Sequence, residues 1–380
     1  MKFSCEKALL QSAVTTAGRV VASKSSILAL EGVLLEGTEG GLRVSGYNLE
    51  TGIVTQVEAG VTQNGSIVLP AQFTVMESRL FGEIIRKLPD DMVVVSTDGN
   101  KVHIDCGPTS FDIMGSSAEE FPELPAVDEG NGLVMGQGGL RSMISRVIFA
   151  VSDNDGGRPI HTGALFEVEG EELTMVAVDG YRLALRREKI VGKSGAEQFS
   201  FVVPGAALNE VDKICADSDE EVTVTEGARH VTFLMGSTLL IARRLEGEFL
   251  NYRQTIPQNN SISLEVDTAA LQLSIDRASL IINDKLKSPL RCRFEDGSLS
   301  ITSRTAIGSA FDRCPIAGDG KGLEIGFNNR FLMEAVKAAP AEQVRLELNT
   351  PTSPCLILPK EGEADNFLYM VLPVRLKAGE

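Results

Sequence analysis

Only three histidines, His103, His161 and His230, are available for general acid–base work in this chain. His103 and His230 occupy equivalent places in two similar strand pairs, which reads as structural, and no HExxH or HxxxH spacing offers a zinc site. Neither a GxSxG elbow nor a GxxxxGK[ST] phosphate loop is present. Gly136-Gln137-Gly138-Gly139, just before a helical run at Leu140, is the one glycine cluster to weigh, since amides at a helix start can hold phosphate. It lacks a full GxGxxG and a βαβ setting, so a flexible helix entry is the better reading. Asp217, Asp219, Glu220 and Glu221 fall between a helical and a strand pattern, where a solvated turn accounts for them. The six cysteines (Cys5, Cys106, Cys215, Cys292, Cys314 and Cys355) form no CxxC pair and read as reduced, buried small hydrophobes. With no nucleophile, acid–base pair or metal set, the expectation is a binding protein that needs no metal and no cofactor.

The elements that carry these residues follow from size and pattern. At 380 residues the chain has room for two to four domains, and 43% hydrophobic with 23% charged residues is ordinary for a folded protein. No stretch approaches 18 apolar residues, and the start, Met1 to Lys7, carries Glu6 and no apolar signal core, so a soluble, cytoplasmic protein with no membrane contact is expected. The net charge of −16 argues against a simple nucleic-acid coat; any DNA contact must be local.

One pattern recurs with a period near 125–130 residues. A short strand, an acidic or glycine-bearing turn and a strand opening on Leu appear at Val33–Gly37 with Leu42–Ser45, at Ala164–Val168 with Leu173–Val176, and at Cys292–Gly297 with Leu299–Thr302. Each is preceded by an apolar stripe of helical spacing: Leu9, Leu10, Ala13, Val14, Ala17 and Val20; Leu140, Met143, Ile144, Val147 and Ile148; Leu271, Ile275, Ala278 and Ile282. Each is followed by a second stripe: Phe73, Met76, Leu80, Ile84 and Leu88; Leu208, Val211, Ile214 and Cys215; Phe331, Leu332, Ala335 and Val336. Pro70, Pro204 and Asn328 open these second helices. A further strand pair closes each copy, the first two turning at Asp98-Gly99-Asn100 and Glu226-Gly227.

The spacing therefore predicts three α+β domains of one topology, each with antiparallel strands and two helices, over residues 1–125, 126–257 and 258–380. The six helical segments sum to about +5, leaving about −21 on the rest. Weakly positive helices on an acidic body suggest one surface that attracts polyanions.

Several segments resemble the bacterial sliding clamp family, the beta subunit of DNA polymerase III. They are Ala177-Val178-Asp179-Gly180-Tyr181-Arg182-Leu183-Ala184, Leu245 to Pro257, and Tyr369-Met370-Val371-Leu372-Pro373-Val374-Arg375-Leu376, with Arg158 to Gly163 and Ala118 to Pro122 in the same order. The resemblance spans the chain. It implies the clamp fold, sheets outside and helices facing a central channel, with two chains closed head to tail into a ring on double-stranded DNA. It implies no enzyme activity of its own. The partners implied are the DNA polymerase III alpha subunit, the clamp loader, and other polymerases and repair proteins, all docking through short linear motifs.

On the same resemblance, the motif pocket between domains two and three has a wall of His161, Val178, Gly180, Arg182, Leu183, Leu250, Gln254, Thr255, Met370, Leu372, Pro373, Val374, Arg375 and Leu376. His161 stands where the family has an aliphatic residue, and Leu250 replaces its usual proline; the histidine makes the wall more polar and pH-sensitive. The ring interface implied is Phe111 and Ile113 on an edge strand of domain one against Leu280 and Ile281 on the first helix of domain three. The DNA contacts implied are Lys24, Arg146 and Arg158. The readings that compete are a specialised second clamp copy, a peptide-binding scaffold that does not hold DNA and, weakest, a metabolic enzyme.

Overall fold

The computed structural model describes residues 1–70, 80–126, 129–153, 158–282, 288–362 and 366–376. Among them are seven α-helices: α1 (Lys7–Ala17), α2 (Leu80–Lys87), α3 (Gln137–Val147), α4 (Gly205–Ile214), α5 (Tyr252–Thr255), α6 (Thr268–Ser279) and α7 (Asn329–Ala338). The chain divides into two compact units. One holds Met1–Gly138, Val191–Ala196 and Lys213–Arg244; the other holds Gly139–Ile190, Glu197–Asp212 and Leu245–Glu380.

The first unit has two antiparallel sheets. In the five-stranded one, Lys2–Glu6 lies between Gly60–Gln63 and Met92–Asp98, and the hairpin continues through Lys101–Cys106 to an outer strand, Thr109–Met114. The nine-stranded sheet joins residues far apart in sequence, because Thr238–Ala242 pairs with Thr55–Thr51 and fuses two smaller sheets. Its core includes Phe3, Leu10, Leu35, Leu42, Phe81 and Ile104, all fully buried. The second unit has one ten-stranded sheet, joined in the same manner where Arg182–Arg186 pairs with Val371–Phe367.

The repeat is visible in register. The first strand of each predicted pair lies against a later strand at matching positions: Gly32 opposite Pro70, Gly163 opposite Pro204 and Leu290 opposite Phe327. The turn expected at Glu295–Gly297 in the third copy falls inside a strand of 16 residues, Leu290–Thr305. Its ladder to Gly308–Phe327 shifts register on both sides of Asp296, and Gly297 has φ of +66°. Glycine takes that conformation without the Cβ penalty other residues carry, so the bend is accommodated within the strand.

Most of the described stripe residues are buried; Leu80, Ile148, Ile214, Ile282 and Phe331 are half-buried, and Leu9 points outward at 42% exposure, leaving Leu10, Ala13, Val14 and Ala17 as the buried face of α1. Asp267 caps α6 by accepting from the Ala270 amide at 2.7 Å, and Asn328 caps α7 by accepting from Phe331 at 3.2 Å. The helix α6 ends at Ser279, so Leu280 and Ile281 lie in the turn beyond it and not on it; the Leu280 amide donates to Arg277 and that of Ile282 to Ser279. Phe73, Met76 and the tail Lys377 to Glu380 lie outside the described residues.

The first helices of the first and third copies each end against a strand of their own copy. A Cβ added at Gly46 would stand 2.0 Å from the Ala17 carbonyl oxygen, whereas at the equivalent point of the third copy Ser303 donates its hydroxyl to the Ala278 carbonyl at 2.6 Å. The same close approach is met once by removing a side chain and once by bonding to the helix end. Gly46→Ala is expected to destabilise the chain by about 3 kcal/mol, read from the urea midpoint, because backbone on both sides must move.

Candidate functional site

The strand Glu172–Val178 ends in a turn built by its own side chain. Asp179 Oδ1 accepts from the amides of Tyr181 at 2.9 Å and Arg182 at 3.1 Å, and Gly180, at φ of +89°, supplies the left-handed step. Arg182 is buried. It donates Nε to Asp179 Oδ2 at 2.9 Å and Nη1 to Glu334, while its guanidinium lies over the rings of Phe331 at 4.5 Å and Phe149 at 5.4 Å. Arg182 is thus a structural clamp, fully engaged inside the protein.

From this turn the strand Arg182–Lys189 pairs with Phe367–Val371, setting Leu183 opposite Met370, and the Leu372 amide donates to the Tyr181 carbonyl at 2.9 Å. Leu183 and Met370 enter one apolar cluster with Ile160, Leu165, Val176, Val202 and Tyr252, against which Leu245, Phe249 and Leu372 pack. Val178, buried at the strand end, completes this stretch.

The helix α5 is held from below. Tyr252 is buried and donates its hydroxyl to Glu167 Oε2 at 2.6 Å; Arg253 donates to both oxygens of the same carboxylate at 2.9 and 2.6 Å. Burial alone would raise the Glu167 carboxyl, but these two donors outweigh it and hold it below the ordinary glutamate value. Burial, and then the Glu167 acceptor, push the Tyr252 phenol up.

An open cleft of about 370 Å³ lies in this unit, lined by Arg158, Pro159, Ile160, His161, Glu246, Gly247, Glu248 and Leu250. The His161 ring meets Phe249 edge-on, centroids 5.8 Å apart. Burial, and then the Arg158 charge, lower its pKa from the usual histidine value, against an upward pull from Asp179. The wall residues named from the sequence do not all share one surface. His161 and Leu250 line the cleft; Leu183, Met370 and Leu372 form the cluster; Gln254 and Thr255 are exposed on α5. Val374 donates its amide to the Gly326 carbonyl at 2.7 Å, and Leu376 packs close to Gly326, while Pro373 is half-buried and Arg375 exposed. Glu167, Tyr252 and Phe249, which hold the site, were not singled out; Tyr252 and Phe249 lie inside a quoted segment, and Glu167 in a recognised strand.

Elsewhere, Arg146 turns inward, Nη1 donating to the Ala338 carbonyl at 3.2 Å, whereas Lys24 and Arg158 are exposed. Two amides of the glycine cluster are engaged, Gln137 donating to Glu220 and Gly138 to Ser218 at 2.8 Å each, which pins this helix entry. All six cysteines are buried thiols.

Comparison with known proteins matches the chain from end to end. Sequence models of the DNA polymerase III beta subunit match as its N-terminal domain at residues 1–125, its central domain at 135–251 and its C-terminal domain at 253–375. The chain belongs to the DNA polymerase III beta subunit family. The beta sliding clamp of Synechococcus elongatus is 30% identical over 386 residues, covering all of both chains. The solved structure of a DNA polymerase III beta subunit from Eubacterium rectale superposes with a TM-score of 0.91 at 31% identity, covering 99% of this chain and 100% of that one. The sliding clamp of Bacillus subtilis gives 0.89 at 28%, with the same coverage. Three tandem clamp domains are thus the architecture, and the family is one of non-catalytic processivity factors.

Tyr252→Phe is expected to cost about 1.5 kcal/mol at pH 7 in urea melts, the net worth of one hydrogen bond to a charged acceptor at its low end. Glu167 has a depressed folded pKa, so its contribution is present above the unfolded carboxyl's value of about 4.3 and lost as pH falls through the folded one. The gap between wild type and variant should therefore close in acid.

Proposed function

We propose that this chain acts as a sliding clamp: two copies close head to tail into a ring, encircle duplex DNA, and tether polymerases to it through peptide motifs. What carries this reading is the succession of three beta-subunit domain matches along nearly the whole chain. We place the domains at 1–125, 126–257 and 258–380. Enclosure gives processivity without tight binding, so an acidic chain with weakly positive helices suits sliding: phosphates are held loosely and no base is read. Lys24 and Arg158 are the proposed DNA contacts; Arg146, facing the Ala338 carbonyl, is better placed to brace the fold.

Each unit also has a surface suited to ring closure. Thr109–Met114 is an outer strand, paired on one side only among the described residues, with Phe111 37% exposed beside half-buried Ile113. Past the end of α6, Leu280 is 78% exposed next to Ile281, and Leu273 on the helix is exposed as well. Pairing of one copy's strand with the other copy's helix end would cover both. The cleft at His161 and Leu250 is proposed as the docking site for short motifs of the DNA polymerase III alpha subunit, the clamp loader, and other polymerases and repair proteins. No helix among the described residues is long and apolar enough to cross a membrane, and a replication role implies the cytoplasm, at the nucleoid.

Two measurements test this. Loaded onto nicked circular DNA, the protein should stay bound through gel filtration and leave when the circle is cut; equal loss from both forms would sink the clamp reading. The solution mass should be about twice the 40.7 kDa of one chain. Leu280→Asp should return it to one chain's mass and abolish retention.

A further inference from the structure

We propose that His161 reads the hydroxyl of a tyrosine anchor in the docked peptide, making this a cleft for an aromatic side chain with a polar tip. The inference rests on the cleft being the peptide site. His161 is only 9% exposed, yet neither ring nitrogen has a hydrogen-bond partner among the described residues. Its backbone is satisfied on both sides: the amide donates to Arg158 at 3.0 Å, and the carbonyl accepts from Ser152 at 2.9 Å. With the ring edge-on to Phe249, the imidazole is fixed in place and unpaired at the wall of an open cleft. The unpaired ring nitrogens lie at the wall of an open cleft, so a ligand hydroxyl can take the place of water there.

The surroundings select the partner. Ile160, Pro159 and Leu250 make an apolar lining, and Phe249 stands behind the imidazole. The charged groups that act on His161 are Arg158 on its own segment and Asp179 on the neighbouring turn, and Glu246 and Glu248 line the same cleft. A carboxylate on the ligand would meet two glutamates, and an ammonium, though they attract it, would have to give up its water to the apolar lining. Burial and Arg158 keep the imidazole below the usual histidine value, so near neutral pH it offers one donor and one acceptor. A phenol is uncharged, fills an apolar cleft with its ring and presents one O–H to a buried partner, which is why tyrosine is common at such contacts.

The test uses the full-length protein and N-acetylated, fluorescein-labelled hexapeptides Ser-Leu-Ser-Leu-Leu-Xaa, with Xaa as Tyr, Phe, Glu or Lys, followed by anisotropy at pH 7.5. Wild type should bind the Tyr peptide about ten-fold more tightly than the Phe peptide, and the Glu and Lys peptides more weakly than either. In His161→Leu the Tyr preference should vanish while Phe binding holds or improves. The Tyr-to-Phe ratio in wild type stands by itself if that variant folds poorly. Leu250→Asp separates the two readings. If it abolishes binding of both peptides while wild type treats Tyr and Phe alike, the cleft is the docking site and the role of His161 is wrong. If it changes nothing, or if no peptide binds wild type, the cleft reading fails and takes this inference with it.

Discussion

The hydrogen-bonded ladder between Arg182–Arg186 and Phe367–Val371 is the constraint on which the candidate site depends. A strand ladder admits no gradual error, since a slip of one residue would turn Leu183 and Met370 away from the cluster they share. It also explains why residues nearly two hundred positions apart can form one apolar surface. Arg182 secures its start: held by Asp179, by Glu334 on α7 and by two aromatic rings, it ties the end of the strand to the helix. Removing one partner of such a buried pair leaves the other charge unpaired, which is why this corner must keep all its members or none.

The same device joins Thr238–Ala242 to Thr51–Thr55 in the other unit, with one difference that bears on function. The turn leading into the strand at Thr51 is also closed by a side chain, Asn48 Oδ1 accepting from Glu50 at 3.0 Å and Thr51 at 2.7 Å. There the left-handed step falls on Leu49, at φ of +74°, where the cleft-bearing copy has Gly180. The turn survives in both places because the bonds come from Asn or Asp; what changed is the residue that sits on top. Duplicated scaffolds diverge in this manner, keeping the groups that hold the backbone and exchanging those that face outward.

Much of the fold was legible because its signals are local. Helical stripes such as Leu140, Met143, Ile144 and Val147, and hairpins such as that at Asp98-Gly99-Asn100, are set by periodicity and turn chemistry within a few residues. The chain ends and joins of the sheets were not legible, because pairing of Thr238–Ala242 with Thr55–Thr51 leaves no trace in either segment. The bend at Gly297 reads as a turn from composition, yet the backbone stays extended on both sides of it. Likewise, Leu280 and Ile281 continue the apolar pattern of α6 although the helix has already ended at Ser279, a boundary that hydrogen bonding decides and periodicity does not.

For the site, residue type was legible and surroundings were not. His161 stood out only as a departure from the aliphatic residue the family has there, and its setting, against Phe249 and beside the segment carrying Glu246 and Glu248 some ninety residues onward, depends on the fold. Glu167 gave no signal at all: an acidic residue in an alternating strand ordinarily faces water, and only the arrival of Tyr252 and Arg253 turns it into the support beneath α5. That support has a consequence for how the cleft meets a ligand. Leu250 is two residues from a phenol that is buried and charge-anchored, so the lip bearing it starts out ordered, and a peptide need not bear the entropy of arranging that wall before it gains contact.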